Sequence, residues 1–435
     1  MSQGFSLEPK SVIEQFNYVS NIKDYVQNVL LFIPLGVGLA MLNQNRLNYS
    51  KILILSLAVG SIVSTTVELT QLWLPSRVSN LSDIVCNSVG ACWGATIYYC
   101  RVSLFKFCLG IVTLDRQKLS LASLSTAIAG YCSLVFVALC ILSLNSNLSN
   151  WDDDYYLALG NEVTGDRPWS GYISQVYLSD RALNQSEVAA IFSPQNVLPK
   201  YPNLLFSIEA FQKPNHQKLT QLTRNRLSLL QTNQKDTHNS KPKANLKVNE
   251  RGIYVNEERW LKSNYPAKLI NQKIRESNEF SLFLKFAAAK INQAGPARIF
   301  TLSNSIYAHN LLVGQEGQDL ILRLRTPITG DAPTQPELVI PRIFNSNEER
   351  VILITFAQKK LTFYLKYPQQ KYSYKFNYAN SFISYLPFEI ANYRVDLTAS
   401  NTLKYQLVFY STISIPLIVL VLVLAYYLWF SYLTY

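Results

Sequence analysis

The chain has 435 residues, of which 49% are hydrophobic, and a net charge of +12 at pH 7. The apolar residues crowd before Asn145 and after Lys404, which excludes a wholly soluble protein and leaves a polar middle long enough for its own core. All six cysteines (Cys86, Cys92, Cys100, Cys108, Cys132 and Cys140) fall in or beside the apolar runs, so the polar middle has no disulfide framework.

Five runs are apolar enough to predict membrane spans: 25–42, 52–74, 84–99, 119–144 and 407–430. No basic stretch precedes the first run, so no cleavable signal peptide is expected. The first four form a predicted bundle over 1–145, and the last gives a C-terminal transmembrane helix over 405–433. Polar residues inside spans are costly and point to function. Asn28 opens the first span. Glu68 and Gln71, three apart, share a helix face near the end of the second. Arg77 lies in the short link that follows, where it is the nearest candidate partner for Glu68. Asp83 and Asn87, four apart, share a face at the start of the third. Gly90 and Gly94 lie on the same helix, spaced to let a neighbouring helix approach closely.

At these positions the chain resembles the VanZ-like family. The residues are NVLLFIPLG from Asn28 to Gly36, then Glu68-Leu-Thr-Gln71, Pro75-Ser-Arg77, and Asp83, Asn87, Gly90 and Gly94. The resemblance covers about residues 24–144 and implies a bacterial cell-envelope membrane protein. The namesake of the family is associated with resistance to the glycopeptide teicoplanin. Three readings of Asn28, Glu68, Gln71, Arg77, Asp83 and Asn87 stay open. They form a structural ion-pair network, they recognise a lipid headgroup or lipid-linked precursor, or Glu68 or Asp83 acts as an acid or base.

Residues 146–195 read as an external hairpin followed by a short helix, the helix opened by Asn184 with Glu187 three residues on, a capping-box spacing. Asp152, Asp153 and Asp154 at its start read as solvated acids rather than a calcium site. From 196 to 395 short strand-like runs recur, among them 204–211, 280–288, 297–303, 319–326, 350–357 and 360–367. Leu320, Leu322 and Leu324 alternate with Arg323 and Arg325, so one face is apolar. Many short antiparallel runs predict an all-β sandwich. The stretches GPARIFTLS, GQEGQDLILRLRT and ERVILITFAQKKLTFYLKY resemble concanavalin A-like or laminin-G-like jelly-roll domains. The glycine turns usual there are replaced at Gln358-Lys359-Lys360. Residues 216–244, rich in Gln, Asn, Thr and Lys, read as a flexible loop. His309 is expected at the surface. Trp169 and Trp260 are candidate glycan contacts or core residues.

Basic residues set the orientation. Arg46 and Lys51 lie between the first two spans, and Arg101, Lys106, Arg116 and Lys118 between the third and fourth. The positive-inside rule puts both links in the cytoplasm. The N-terminus and 145–404 are then extracytoplasmic, and the C-terminus cytoplasmic, in a multi-pass plasma-membrane protein. Between Asn145 and Lys404, 31 Lys and Arg face 22 Asp and Glu, a balance suited to membrane lipids or an envelope polysaccharide and not, on that side, to nucleic acid. No cofactor or metal is expected. The function expected is binding of a glycan, lipid headgroup or other envelope component. The alternatives are an enzyme or carrier for a lipid-linked precursor, and a structural anchor.

Overall fold

A computed structural model describes residues 22–71, 81–114, 119–144, 146–193, 203–213, 216–223, 229–232, 248–330, 336–366, 369–377, 379–380, 394–399 and 401–433. The chain divides into two compact units, 1–137 with 412–435, and 138–411. A membrane-type helical bundle and a two-sheet β sandwich result, the fold class predicted.

The helical unit contains α1 (Ile22–Asn43), α2 (Tyr49–Gln71), α3 (Leu81–Thr113), most of α4 (Leu121–Leu144) and the end of α7 (Asn401–Leu433). Four helical stretches, Tyr49–Thr70, Leu81–Thr113, Leu121–Cys140 and Gln406–Tyr432, are long and apolar enough to cross a membrane, and Gln27–Asn43 is a shorter apolar helix. The third helix runs well past the predicted 84–99. Arg101 and Lys106, placed in a link by the sequence reading, are on α3 itself. At a rise of about 1.5 Å per residue it spans roughly 50 Å, more than the ~30 Å hydrocarbon core.

The packing inverts that of a soluble protein. The buried residues of α3 are Asn87, Ser88, Gly90, Ala91, Gly94, Ala95 and Gly110, while Leu31, Ile54, Phe105, Val112 and Phe136 point outward. Small residues inside let backbones meet, and large apolar ones suit lipid. A Cβ on Gly90 would overlap the Val29 carbonyl oxygen, and one on Gly94 the Ile33 carbonyl oxygen, so the predicted close approach is that of α1 on α3. Toward the other end, the Leu119, Leu124 and Val423 side chains form a cluster joining α4 to α7. Pro416 sits inside α7 and cannot supply the N–H that would normally answer the Thr412 carbonyl. The Tyr131 hydroxyl of α4 donates to that carbonyl at 3.2 Å and to Ile413 at 2.8 Å.

The second unit holds β1 (Tyr156–Leu159), β2 (Gly171–Ser179), α5 (Gln185–Phe192), β3 (Leu204–Lys213), β4 (His216–Thr223), β5 (Leu229–Thr232), β6 (Val248–Asn249), β7 (Gly252–Val255), β8 (Trp260–Ser263) and α6 (Lys268–Ser277). There follow β9 (Phe280–Ala288), β10 (Gln293–Ser305), β11 (Ala308–Gly317), β12 (Asp319–Leu324), β13 (Glu337–Ile340), β14 (Glu349–Ala357), β15 (Lys360–Leu365), β16 (Gln370–Lys375) and β17 (Arg394–Asp396). Among the described residues one sheet runs β17-β13-β12-β11-β10-β1-β8-β5, and the other β16-β15-β14-β9-β2-β3-β4 with β7 and β6 off that path. Pairing is antiparallel except between β13 and β17. Alternation builds the core between the sheets. Val176, Leu178, Leu282, Leu284, Ile352 and Ile354 point in to meet Leu311, Val313, Leu320, Leu322 and Leu324. Their neighbours Tyr177, Phe283 and Leu353 point out, where Val188 and Ile191 of α5 cover them. The Asn184–Glu187 capping box opens α5 as predicted.

Two expectations are corrected. The sequence reading sets 146–195 apart from a sandwich beginning at 196, yet β1 sits between β10 and β8 and β2 between β9 and β3. The hairpin reads as separate because its partners are over a hundred residues away. Residues 216–244 read as a flexible loop, yet β4 pairs with β3 and β5 with β8; residues 224–228 and 233–244 lie outside the described residues.

Candidate functional site

The membrane polar cluster is built by two registers. Between α2 and α3 the Ser61 and Ser88 hydroxyls lie 2.8 Å apart, and Asn87 Nδ2 donates to Ser64 Oγ at 2.8 Å. One turn further along α2 comes Glu68, and one turn back along α3 comes Asp83. The antiparallel register therefore sets the two carboxylates at one level. Between α1 and α3 the register is parallel, Val29 against Gly90 and Ile33 against Gly94, which puts Asn28 at the level of Asn87.

Glu68 and Asn87 are buried, at 3% and 5% exposure, and Asn28 and Asp83 are half-buried. Four of the six predicted residues thus converge at one end of three helices. The side chain of Gln71, and all of Arg77, lie outside the described residues, and the expected Glu68–Arg77 pairing with them. At the opposite end, Gln44 Oε1 accepts from the Tyr98 hydroxyl at 2.6 Å and from Arg101 Nη2 at 3.3 Å. That contact brings the α1–α2 link, with Arg46, to the level of Arg101, so the basic stretches share an end away from the acids.

The feature that decides the chemistry is Asn87. Its Nδ2 is committed to Ser64, while its Oδ1 is buried without a hydrogen-bond partner among the described residues. Such an acceptor costs free energy until a donor reaches it. Two carboxylates and an amide oxygen accept and do not donate, so the group is suited to an ammonium or hydroxyl-bearing ligand. Among the described residues no three His, Cys, Asp or Glu are grouped to hold a metal ion. Sequence reading missed Ser61, Ser64 and Ser88. A signal was present, because Ser61, Ser64 and Glu68 recur at helical spacing on one face.

The residues singled out in the sandwich are placed differently. Trp169 is fully buried, its Nε1 donating to Gln315 Oε1 at 2.8 Å and its ring edge-on to Phe286. Trp260, 4% exposed, lies beneath Gly165. Neither indole offers a face to a sugar; both belong to the core of the domain. Asp153 pairs with Arg275 and Asp154 with Lys268, and Asp152 Oδ1 accepts the Asp154 N–H. His309, expected at the surface, is fully buried in β11, and among the described residues neither ring nitrogen has a hydrogen-bond partner. Burial and the positive charges of Arg298, Arg323 and Arg325 hold its pKa well below the ordinary 6.5, so it is neutral. Nearby Arg298 forms a fully buried ion pair with Glu162 at 3.1 Å. Burial brings its guanidinium pKa down to about 10 although Glu162 opposes the shift. Glu162 is also held by the Ser303 hydroxyl and the Val163 N–H. The pair ties the 160–170 loop to β10 and has the character of a structural lock.

Residues 1–106 match the VanZ/LLP1 family model, a stretch that contains every residue of the polar cluster and stops on α3, short of the 24–144 over which the resemblance was read. No curated protein matches the chain, and no solved structure does.

Proposed function

We propose that the helical unit binds the donor-bearing polar head of an envelope lipid or lipid-linked precursor, on the extracytoplasmic side of the membrane. The observation that carries this reading is the buried Asn87 Oδ1, without a partner among the described residues and set level with Glu68, Asp83 and Asn28. A purely structural cluster has no reason to keep an orphan acceptor beside two acids, because each unanswered buried polar atom costs on the order of 1–3 kcal/mol. A headgroup ammonium or hydroxyl would answer it, and the carboxylates would favour a positive charge. The match of residues 1–106 to the VanZ/LLP1 family supports placing function in this unit. Opposite ends for basic and acidic residues support the orientation, with the acids toward the outer leaflet.

Phosphatidylethanolamine and phosphatidylcholine share a phosphate and differ in whether the amine carries N–H donors. The unfolding midpoint of the whole protein in vesicles should therefore rise when phosphatidylethanolamine replaces phosphatidylcholine. Asn87→Leu and Glu68→Gln should each remove most of that rise while leaving the midpoint in phosphatidylcholine within a few degrees of the parent. A midpoint indifferent to the amine, or a lipid response that survives both substitutions, would remove the reading and leave a structural cluster.

A further inference from the structure

A polar recess lies in the sandwich unit, independent of the cluster above. It is a cleft of about 480 Å³ whose walls include Gln358, Lys360, Ser373, Lys375, Asn380 and Gln406. The hairpin of β15 and β16 forms one side, and the first turns of α7 the other. Asn380 Nδ2 donates to the Lys375 carbonyl at 2.8 Å, and Gln406 Nε2 reaches Asn380 Oδ1 at 3.5 Å, so the walls are joined. Gln406 is also the first residue of the apolar stretch Gln406–Tyr432. One wall of the cleft is therefore the start of a stretch able to cross a membrane.

Two features here disfavour the protein taken alone. Lys360 and Lys375 stand directly opposite each other across the β15–β16 pair, a like-charge juxtaposition that destabilises a sheet. Among the described residues neither forms an ion pair. The turn between β14 and β15 holds Gln358 and Lys359 at φ of 50° and 61°, a left-handed conformation that glycine or asparagine adopts at less cost. Strain of this kind concentrates where function over-rides local preference. Next to the lysines, Ser373 lines the cleft as well, adding a hydroxyl donor beside two ammonium groups. Ammonium and hydroxyl donors, with no acidic group among the described residues that line the cleft, fit a phosphate.

We propose that this cleft binds the phosphate of an anionic phospholipid headgroup between Lys360 and Lys375, fixing the sandwich against the membrane surface. The anion relieves the repulsion between the two lysines. Lysines on an edge strand such as β16 also discourage strand addition, but that role requires no lipid, and the two are separable.

The test uses the whole protein in phosphatidylcholine vesicles with and without phosphatidylglycerol, reading the unfolding midpoint. Phosphatidylglycerol should raise the midpoint of the parent. Lys360→Gln with Lys375→Gln should abolish the rise, whereas Arg251→Gln with Lys290→Gln, an equal loss of charge outside the cleft, should keep it. Lys375→Glu gives Lys360 an opposite charge across the strands. It should raise the midpoint in neutral vesicles and make it insensitive to phosphatidylglycerol. An equal rise in both double variants would show attraction to the basic surface at large and overturn the site. So would a Lys375→Glu protein that still answers phosphatidylglycerol. Inorganic phosphate or glycerol phosphate reproducing the full rise in neutral vesicles would reassign the cleft to a free phosphate and overturn the membrane assignment.

Discussion

At the scale of single residues, what matters most in the helical unit is where backbone and side-chain polar atoms find partners without water. Tyr131 illustrates it. Its hydroxyl donates to the Thr412 and Ile413 carbonyls, in the turn of α7 where Pro416 withholds an N–H. Tyr131→Phe takes that donor away and should lower stability by roughly 1–3 kcal/mol. In Pro416→Ala the helix supplies its own N–H to Thr412, so adding Tyr131→Phe should then cost less than half as much. A thermal or denaturant double-mutant cycle measures the coupling. Equal costs in both backgrounds would show that the hydroxyl and the proline are unrelated. The sequence displays Tyr131 and Pro416 but not that they meet, because contact depends on the antiparallel packing of α4 and α7. His309 teaches the same lesson from the other side. Histidine is intermediate between core and surface by type, and the register of β11 against β10 and β12 buries it here.

At the scale of elements, local signals were most readable where the partner is close in sequence. The β9 range, the alternation of β12 and the capping box of α5 follow from nearby residues alone. β1 and β2 were not readable as sheet centres. Tyr156 pairs with Ser303 and Tyr177 with Phe283, and a short strand does not disclose a partner so distant. This sets an expectation for the isolated domain. Residues 146–399 expressed alone should fold cooperatively with β-type circular dichroism and no response to reducing agent. Residues 196–399 should not, since removing β1 and β2 unpairs β10, β8, β9 and β3 at once. A cooperative unfolding transition from 196–399 would show that the hairpin is dispensable and return the domain boundary to 196.

At the scale of the whole molecule, the chain joins a helical unit able to cross a membrane several times to a sandwich between its N-terminal helices and its last one. Orientation rests on charge. Arg46, Lys51, Arg101 and Lys106 favour the cytoplasmic side by a bias that short basic segments near spans exert. Protease added to intact cells or right-side-out vesicles should therefore cut within residues 217–243, and lysis should not be required. Protection until lysis would reverse the orientation. It would also move the proposed headgroup site to the inner leaflet.

By itself the sequence determined the class of the protein, the number and approximate position of its apolar helices, the sandwich and most of its strands. It also marked Asn28, Glu68, Asp83 and Asn87 as residues out of place in lipid. These follow from composition and periodicity, which a span or a strand carries within itself. The tertiary structure alone decided that those residues share one level and that the Asn87 side-chain oxygen has no partner among the described residues. It alone buried Trp169, Trp260 and His309, drew β1 and β2 into the sheets, and set Lys360 across from Lys375 beside the start of the last helix. Each of these depends on the register between segments far apart in the chain. Register is fixed by how glycines, serines and alternating apolar faces fit together, and no segment specifies that fit alone.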